Sequence, residues 1–463
     1  MKKVLLLNPP GRRLYIRDYF CSKVSQADYI PHPLDLVMLS GILSEEYEVE
    51  LLDATVSRMP AEKALSAASA AAPFAVVSMF GAASLEEDMG FARALRSALP
   101  AAKLIGIGDV FREKGESYVS GDSPLDAVLL DFTTRDVLSY LRSDFGAVMN
   151  MAFRDGAGAV KTPVGGRGRQ FEVPVPRHEL FAVYDYRHPF VRAKRFATTV
   201  IDYGCPFDCG FCVIGGLGYK YRKPENVLEE LRRIRSLGIR EVFFHTQTFG
   251  AHKVSAEAVC RGIIEEGLDL GWVCFSRADV TTPPMLDLMK RAGCHTIIYG
   301  VESGSEEILK AYHKGYTVRD IEAAVAYAGS IGIRTAGTFI LGLPEETRET
   351  AEATIALVRR IGLDFASFNV AVPRRGTGLR KSAIGLGLAD ENVSVMDQSG
   401  SEIAMPTRSL TREEVLAYRR RAVAAFYLRP GYVLGRLMSV RSFHDMANYA
   451  RQALALVKNT WMN

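Results

Sequence analysis

The sequence predicts an α/β protein of two alternating units, a doubly wound parallel sheet followed by an open six-stranded partial barrel, with a helical region at the end. Three observations lead there. Short apolar runs bounded by turn residues alternate with amphipathic stretches from Val4 to about residue 140. The alternation breaks over 145–190, where AGAVKTPVGGRGRQFEVPVPRHEL is rich in Gly, Pro and Arg. It resumes near Phe196, and from Thr411 onward the pattern is helical and basic. The expected boundaries are 1–144 for the first unit, 145–190 for an ordered linker, 191–385 for the barrel and 386–463 for the helical region.

In the first unit the strands read Val4–Leu7, Glu48–Leu52, Ala75–Ser78, Leu104–Ile107 and Ala127–Leu130, with helices at Leu34–Leu43 and Leu85–Ala98. The opening MKKVLLLNPP holds only four apolar residues in a row before Asn8-Pro9-Pro10, so it reads as a buried strand and a turn rather than a leader. In the second unit the strands read Ala197–Asp202, Glu241–Phe244, Trp272–Phe275, Thr296–Gly300, Thr335–Ile340 and Phe365–Val370. Pro224–Leu237, Pro284–Ala292, Ser305–Tyr312 and Val318–Ser330 are the amphipathic helices among them. Six such units are too few to close an eight-stranded TIM barrel. Sheets of both kinds bind ligands outside the carboxyl ends of their strands. Substrate is therefore expected between the two units, with His245, Arg374 and Arg375 facing Asp109 and Thr133.

The bulk composition narrows the class. A chain of 463 residues is too long for one ordinary core. With 48% hydrophobic and 24% charged residues it has a soluble, globular composition. A formal charge of +4 gives no reason to propose nucleic acid as a partner. No run of 18 apolar residues is present, so no membrane-spanning helix is predicted and a cytoplasmic location is expected. Seven cysteines sit at 21, 205, 209, 212, 260, 274 and 294. Three of them cluster within eight residues, the pattern of a metal site in a reducing compartment and not of a disulfide framework.

The clustered cysteines lie in IDYGCPFDCGFCVIGG, spaced C-x3-C-x2-C in the loop after the first barrel strand. Thiolates are the ligands iron–sulfur clusters take, and three of them leave one iron of a [4Fe–4S] cluster open. Zinc would need a fourth ligand close by, and no His or Cys follows. Cys205, Cys209 and Cys212, with Phe211 before the last of them, resemble the signature of the radical S-adenosylmethionine superfamily. The resemblance implies that the amine and carboxylate of S-adenosylmethionine chelate the open iron. It also implies reductive cleavage to a 5′-deoxyadenosyl radical, which abstracts hydrogen from a small-molecule or lipid-like biosynthetic substrate. An electron donor such as flavodoxin or ferredoxin is implied as a partner.

The resemblance extends over about residues 195–380. TFILGLPEE is similar to the family's adenine-side motif, with Ile340, Gly342 and Glu345 in place and Thr338 where the motif has its first Gly. YGVESGSEEILK is similar to the ribose-binding segment, which makes Glu302 and Ser303 the candidates; capping of the following helix is the other reading of Glu302. FFHTQTFG departs from the turn that holds the methionine amine and puts His245, Thr246 and Gln247 there. His245 is counted with the catalytic candidates. Arg277 matches an Arg of this branch whose charge can meet the methionine carboxylate. Cys260, Cys274 and Cys294 are expected to be small core residues.

A Rossmann-like domain opening KVLLLNPP ahead of such a barrel resembles the cobalamin-binding branch of the superfamily. Where relatives carry Gly-rich turns after the fourth and fifth strands, this chain has GIGDVF and LDFTTRD, and it has no Asp-x-His-x-x-Gly ligand motif. Two readings follow: cobalamin-dependent C-methylation, or cobalamin-free dehydration, cyclisation or rearrangement with the first domain only shaping the substrate cavity. The basic C-terminal tail reads either as a helix docked on the barrel or as a peripheral membrane contact.

Overall fold

The computed structural model describes residues 1–17, 29–112, 114–156, 158–164, 170–393, 398, 402–439, 450, 453, 454, 456, 457 and 460. Cys21 and residues 440–449 of the basic tail lie outside them. The first five strands are β1 Lys3–Asn8, β2 Glu48–Asp53, β3 Ala75–Met79, β4 Lys103–Ile107 and β5 Ala127–Leu129. They pair in parallel in the order β2-β1-β3-β4-β5, so the winding reverses between β1 and β3. Helices cover both faces, which is why strands such as KVLLLN are continuous apolar runs. The segment 145–190, expected as an ordered linker, opens with a hairpin, β6 Met151–Asp155 and β7 Gly158–Lys161, that extends the same sheet antiparallel. It continues through β8 Gln170–Phe171 and a short helix, His178–Phe181.

The barrel sheet runs β16-β15-β14-β13-β12-β9, all parallel and open at both edges: β9 Ala197–Thr199, β12 Glu241–Phe244, β13 Gly271–Ser276, β14 Cys294–Glu302, β15 Arg334–Leu341 and β16 Phe365–Val370. The first barrel strand is shorter than the sequence pattern suggests. After Thr199 the chain leaves the sheet, and Asp202–Gly204, β10, pairs instead with β11, Tyr219–Arg222, which in turn pairs with β8. Cys260, Cys274 and Cys294 are buried in the outer core between strands and helices. The helix Arg412–Tyr427 packs along β16, where buried Arg419 donates to the Phe368 carbonyl (3.0 Å) and Tyr427 donates to Ala366 (2.6 Å). Among the described residues no helix is long and apolar enough to cross a membrane.

One helix joins the two units. Leu34–Leu43 is apolar almost all round, and every residue but Asp35 is buried, as expected of a helix enclosed on all sides. Its core is continuous with Phe243, Val273, Ile298 and Ala336 from the inner face of the barrel. Just before it, His32 accounts for itself structurally: it pairs with Thr198 Oγ1 (3.0 Å) and packs on Tyr186 and Phe196, and burial holds its pKa well below the usual value. The carboxyl ends of both sheets meet at a narrow cleft, lined by Asn8, Thr55 and Met79 from the first and by His245 and Gln247 from the second.

Candidate active site

The site starts where the chain leaves β9. Gly204, at φ 77°, passes so close to the returning strand that a Cβ would lie 1.8 Å from the Gly218 carbonyl oxygen, so only glycine fits. That carbonyl accepts the Cys205 N–H (3.2 Å), and the Cys209 carbonyl accepts the Cys212 N–H (2.9 Å). The loop is thus held by its own backbone. Thr246, from the end of β12, anchors its root by accepting the N–H groups of Ile201 (2.9 Å) and Asp202 (3.3 Å).

Cys205, Cys209 and Cys212 are free, half-buried thiols. Burial pushes Cys205 up and Cys212 to about 11, so they stay protonated unless a metal displaces the protons. Among the described residues no three His, Cys, Asp or Glu side chains converge as they would around one ion. A cluster places one thiolate on each of three irons and needs no such convergence. The donor set therefore fits a cubane with an open iron better than it fits zinc.

Cationic side chains gather beside this loop. Arg277, at the end of β13, lies 3.7 Å from the Phe207 ring centroid, ion-pairs with Asp279 (2.7 Å), donates to the Lys314 carbonyl (2.5 Å) and brings Nη1 to 3.5 Å from Cys209 Sγ. Most of its donors are thus engaged. Glu302 ends β14 in the left-handed region at φ 64°, where a non-glycine residue is strained. Its Oε1 accepts from buried Lys314 (3.1 Å). The cap of the next helix is Ser305 and not Glu302. Ser303 is fully buried and turned toward Thr354 Oγ1 (3.2 Å) and the Ser305 N–H (3.1 Å).

Ile340 and Phe211 pack against one small apolar cluster, which brings the adenine-side motif to the cysteine loop. Gly342 (φ 85°) leaves no room for a Cβ against Val415. Glu345 accepts from Tyr312 (2.5 Å) and Ser382 (3.4 Å). Its neighbour Glu346 is the buried one: it accepts the Gly342 N–H (2.5 Å), and burial raises its pKa to about 7.

His245 lines the cleft with Gln247, opposite Asn8, Thr55 and Met79 of the first domain. It stacks on Phe243, and burial lowers it to about 4, so the imidazole is neutral. Asp109 is raised by burial, an effect that the charge of Arg374 partly offsets. Thr133 is instead turned to Asp131 (2.5 Å), and Arg375 is exposed.

The barrel topology, the three-cysteine loop and the strand-end residues around it find their match in one family model. Residues 199–358 match the Radical SAM superfamily. That match identifies residues 199–358 as a radical SAM domain. An uncharacterized methyltransferase of Pyrococcus horikoshii is 33% identical over 276 residues, 59% of each chain. The hopanoid C-2 methylase of Rhodopseudomonas palustris is 28% identical over 43% of this chain and 39% of its own. The chain thus spans well under two thirds of the curated relatives it matches. Two solved radical S-adenosylmethionine enzymes share the whole arrangement. TsrM from Kitasatospora setae, with cobalamin and a [4Fe–4S] cluster bound, superposes at TM-score 0.69 and 19% identity, covering 98% of this chain and 99% of its own. OxsB, with aqua-cobalamin and S-adenosylmethionine bound, superposes at 0.64 and 14%, covering 100% and 72%. At such identities the likeness is one of fold. Sequence reasoning missed two groups of this radical SAM site, Lys314 and Glu346. The tandem Glu345-Glu346 was a visible signal without a direction, whereas nothing local marked Lys314.

Proposed function

We propose that this chain binds a [4Fe–4S] cluster through Cys205, Cys209 and Cys212, binds S-adenosylmethionine at its open iron, and methylates a carbon of a small molecule held between the two domains with the help of cobalamin. The observation that carries the reading is the placement of three half-buried thiols on the loop after β9, in a chain whose two sheets turn their strand ends to a shared cleft. The methyltransferase names of relatives and the cobalamin in structures of the same fold support the reaction class. Side chains from the strand ends of both sheets line that cleft, the position a small substrate held between the domains needs.

When bound, the cluster supplies the electron that cleaves S-adenosylmethionine, and cobalamin supplies methyl transfer. The chain's own residues position and shield. Glu302 offers carboxylate oxygen to the ribose hydroxyls, and Ile340 and the Gly342 backbone flank the adenine. Arg277 and Lys314 compensate the negative charge of the cysteine loop. His245, neutral and buried, lines the same cleft. The buried core around Leu34–Leu43 seals the base of the cleft against water.

One observation favours the cobalamin-free reading. The crevice where the first sheet reverses, between β1 and β3, is the usual ligand seat of such a sheet. Here it is filled by Arg17, which ion-pairs with Asp88 (2.7 Å, both side chains fully buried) and donates to Thr55 (2.7 Å) and Asn8 (3.1 Å). The test is anaerobic reconstitution with iron, sulfide and cobalamin, followed by cobalt and iron analysis and assay of 5′-deoxyadenosine and methyl transfer under a flavodoxin or chemical reductant. Stoichiometric cobalt supports methylation. Iron and S-adenosylmethionine cleavage without cobalt would transfer the case to the second reading.

A further inference from the structure

The buried lysine beside Glu302 belongs to neither the cysteine motif nor the strand-end motifs. Lys314 follows the helix Glu306–Ala311 in a tight turn, with His313 (φ 55°) and Gly315 (φ 73°) in left-handed conformation on either side. That turn aims its ammonium back at the end of β14. Its side chain is 5% exposed and that of Glu302 10%, with Nζ 3.1 Å from Oε1. The cation lies 5.2 Å from the Tyr316 ring centroid and 5.6 Å from that of Phe211, the aromatic residue of the cysteine motif. Burial alone would lower its pKa, but Glu302, Tyr316 and Cys209 hold it above the ordinary value, so it carries its charge.

The surroundings are shaped for this pair. A Cβ on Gly300 would come to 2.5 Å from Glu302 Oε1 and 3.3 Å from Lys314 Nζ, so the glycine makes the room. The β14–β15 register shifts between Gly300, opposite Thr338, and Glu302, opposite Phe339, so the strand is irregular where the glutamate sits. The Lys314 carbonyl is held by Arg277 Nη2, whose other nitrogen reaches Cys209 Sγ. One chain of contacts thus links the cysteine loop, β13 and the strained glutamate.

We infer that Lys314 is a positioning residue for S-adenosylmethionine: by taking Oε1 of Glu302 it holds the carboxylate turned so that its second oxygen accepts from the ribose hydroxyls. The inference rests on the proposed binding of S-adenosylmethionine and names a residue through which that binding is organised. A bound carboxylate oriented by a buried partner is worth more than a mobile one, because the cost of ordering it is met before the ligand arrives.

The experiment measures the dissociation constant of S-adenosylmethionine, and of its analogue lacking both ribose hydroxyls, by anaerobic equilibrium dialysis against the full chain carrying its reconstituted cluster. Iron and sulfide are counted on the same samples. Lys314→Met should keep wild-type iron and sulfide yet weaken S-adenosylmethionine by roughly ten- to a hundredfold, the range for a charge-assisted contact. Binding of the analogue should be unchanged, and Lys314→Arg should recover most of the loss. Because Lys314→Met leaves Glu302 without its cation, the pair Lys314→Met with Glu302→Gln serves as the neutral control. It should bind no worse than Glu302→Gln alone, the non-additivity expected of residues acting as one unit. Wild-type affinity in Lys314→Met, equal weakening of both ligands, or additive losses would overturn the inference. If wild-type protein with intact cluster binds no S-adenosylmethionine, the parent reading fails and this one with it.

Discussion

Removing one charge from the joint between the two domains should cost several kcal/mol. Lys220, on β11, reaches across to Asp131, just beyond β5, with Nζ 2.7 Å from Oδ2 and side chains 8% and 6% exposed. The ammonium also lies over two aromatic faces, 5.1 Å from the Tyr203 ring centroid and 5.2 Å from that of Phe171. Lys220→Met keeps the length of the stem but leaves Asp131 Oδ2 buried without its partner. Breaking a buried pair from one side typically costs about 3–5 kcal/mol. Asp131 Oδ1 keeps its bonds from the Thr133 N–H (2.9 Å) and hydroxyl (2.5 Å), so the lower end applies. For a domain of roughly 150–250 residues that melts as one unit, about 3 kcal/mol lowers the apparent melting temperature by roughly 6–12 °C. Scanning calorimetry on the cluster-free protein at neutral pH reads this directly. Adding Asp131→Asn should restore most of the loss, because the amide keeps an acceptor for Thr133 and carries no charge to strand. A shift of Lys220→Met under about 2 °C, or a double variant no better than the single, would refute the claim that this pair holds the joint.

Each of Cys205→Ala, Cys209→Ala and Cys212→Ala should abolish the brown cluster absorbance and 5′-deoxyadenosine formation; one variant that retains both removes the central assignment. Glu345→Ala should keep its iron, since the side chain is bonded to Tyr312 and Ser382 rather than to a cluster cysteine, yet bind S-adenosylmethionine several-fold more weakly, read by equilibrium dialysis. Burial raises Glu346 from 4.5 to about 7, so its proton is held more tightly in the folded chain than in the unfolded one. Its contribution to stability is therefore complete below pH 4.5 and lost as pH rises through about 7. Glu346→Gln should melt with wild type at pH 4.5 and above it at pH 8, by the equivalent of roughly 1–3 kcal/mol; parallel pH profiles would show that Glu346 does not titrate in this range. Gly342→Ala should lower the melting temperature by several degrees, because the new methyl meets Val415 at 2.9 Å from a backbone with φ 85°.

What the sequence determined by itself is whatever depends on near neighbours in the chain. A doubly wound sheet buries both faces, so β1 and β3 read as apolar runs, and each helix of the barrel must turn one apolar face to its strand. The cluster ligands are legible for the same reason: three thiolates on one loop need only a short spacing and a glycine turn. The tertiary structure decided whatever depends on residues far apart. The hairpin at Met151–Lys161 joins the first sheet because β5 offers an open edge, which no feature of its own Gly- and Pro-rich neighbourhood announces. The chain leaves the barrel at Thr199 because Asp202–Gly204 finds partners in β11. Which of Glu345 and Glu346 turns inward was settled by the single N–H of Gly342. Lys314 and Glu302, 12 residues apart on a turn and a strand end, and Lys220 and Asp131, 89 apart, meet only in the fold. Charged pairs like these leave no periodic trace, because a lone Lys reads the same in a sequence whether water or a buried carboxylate surrounds it.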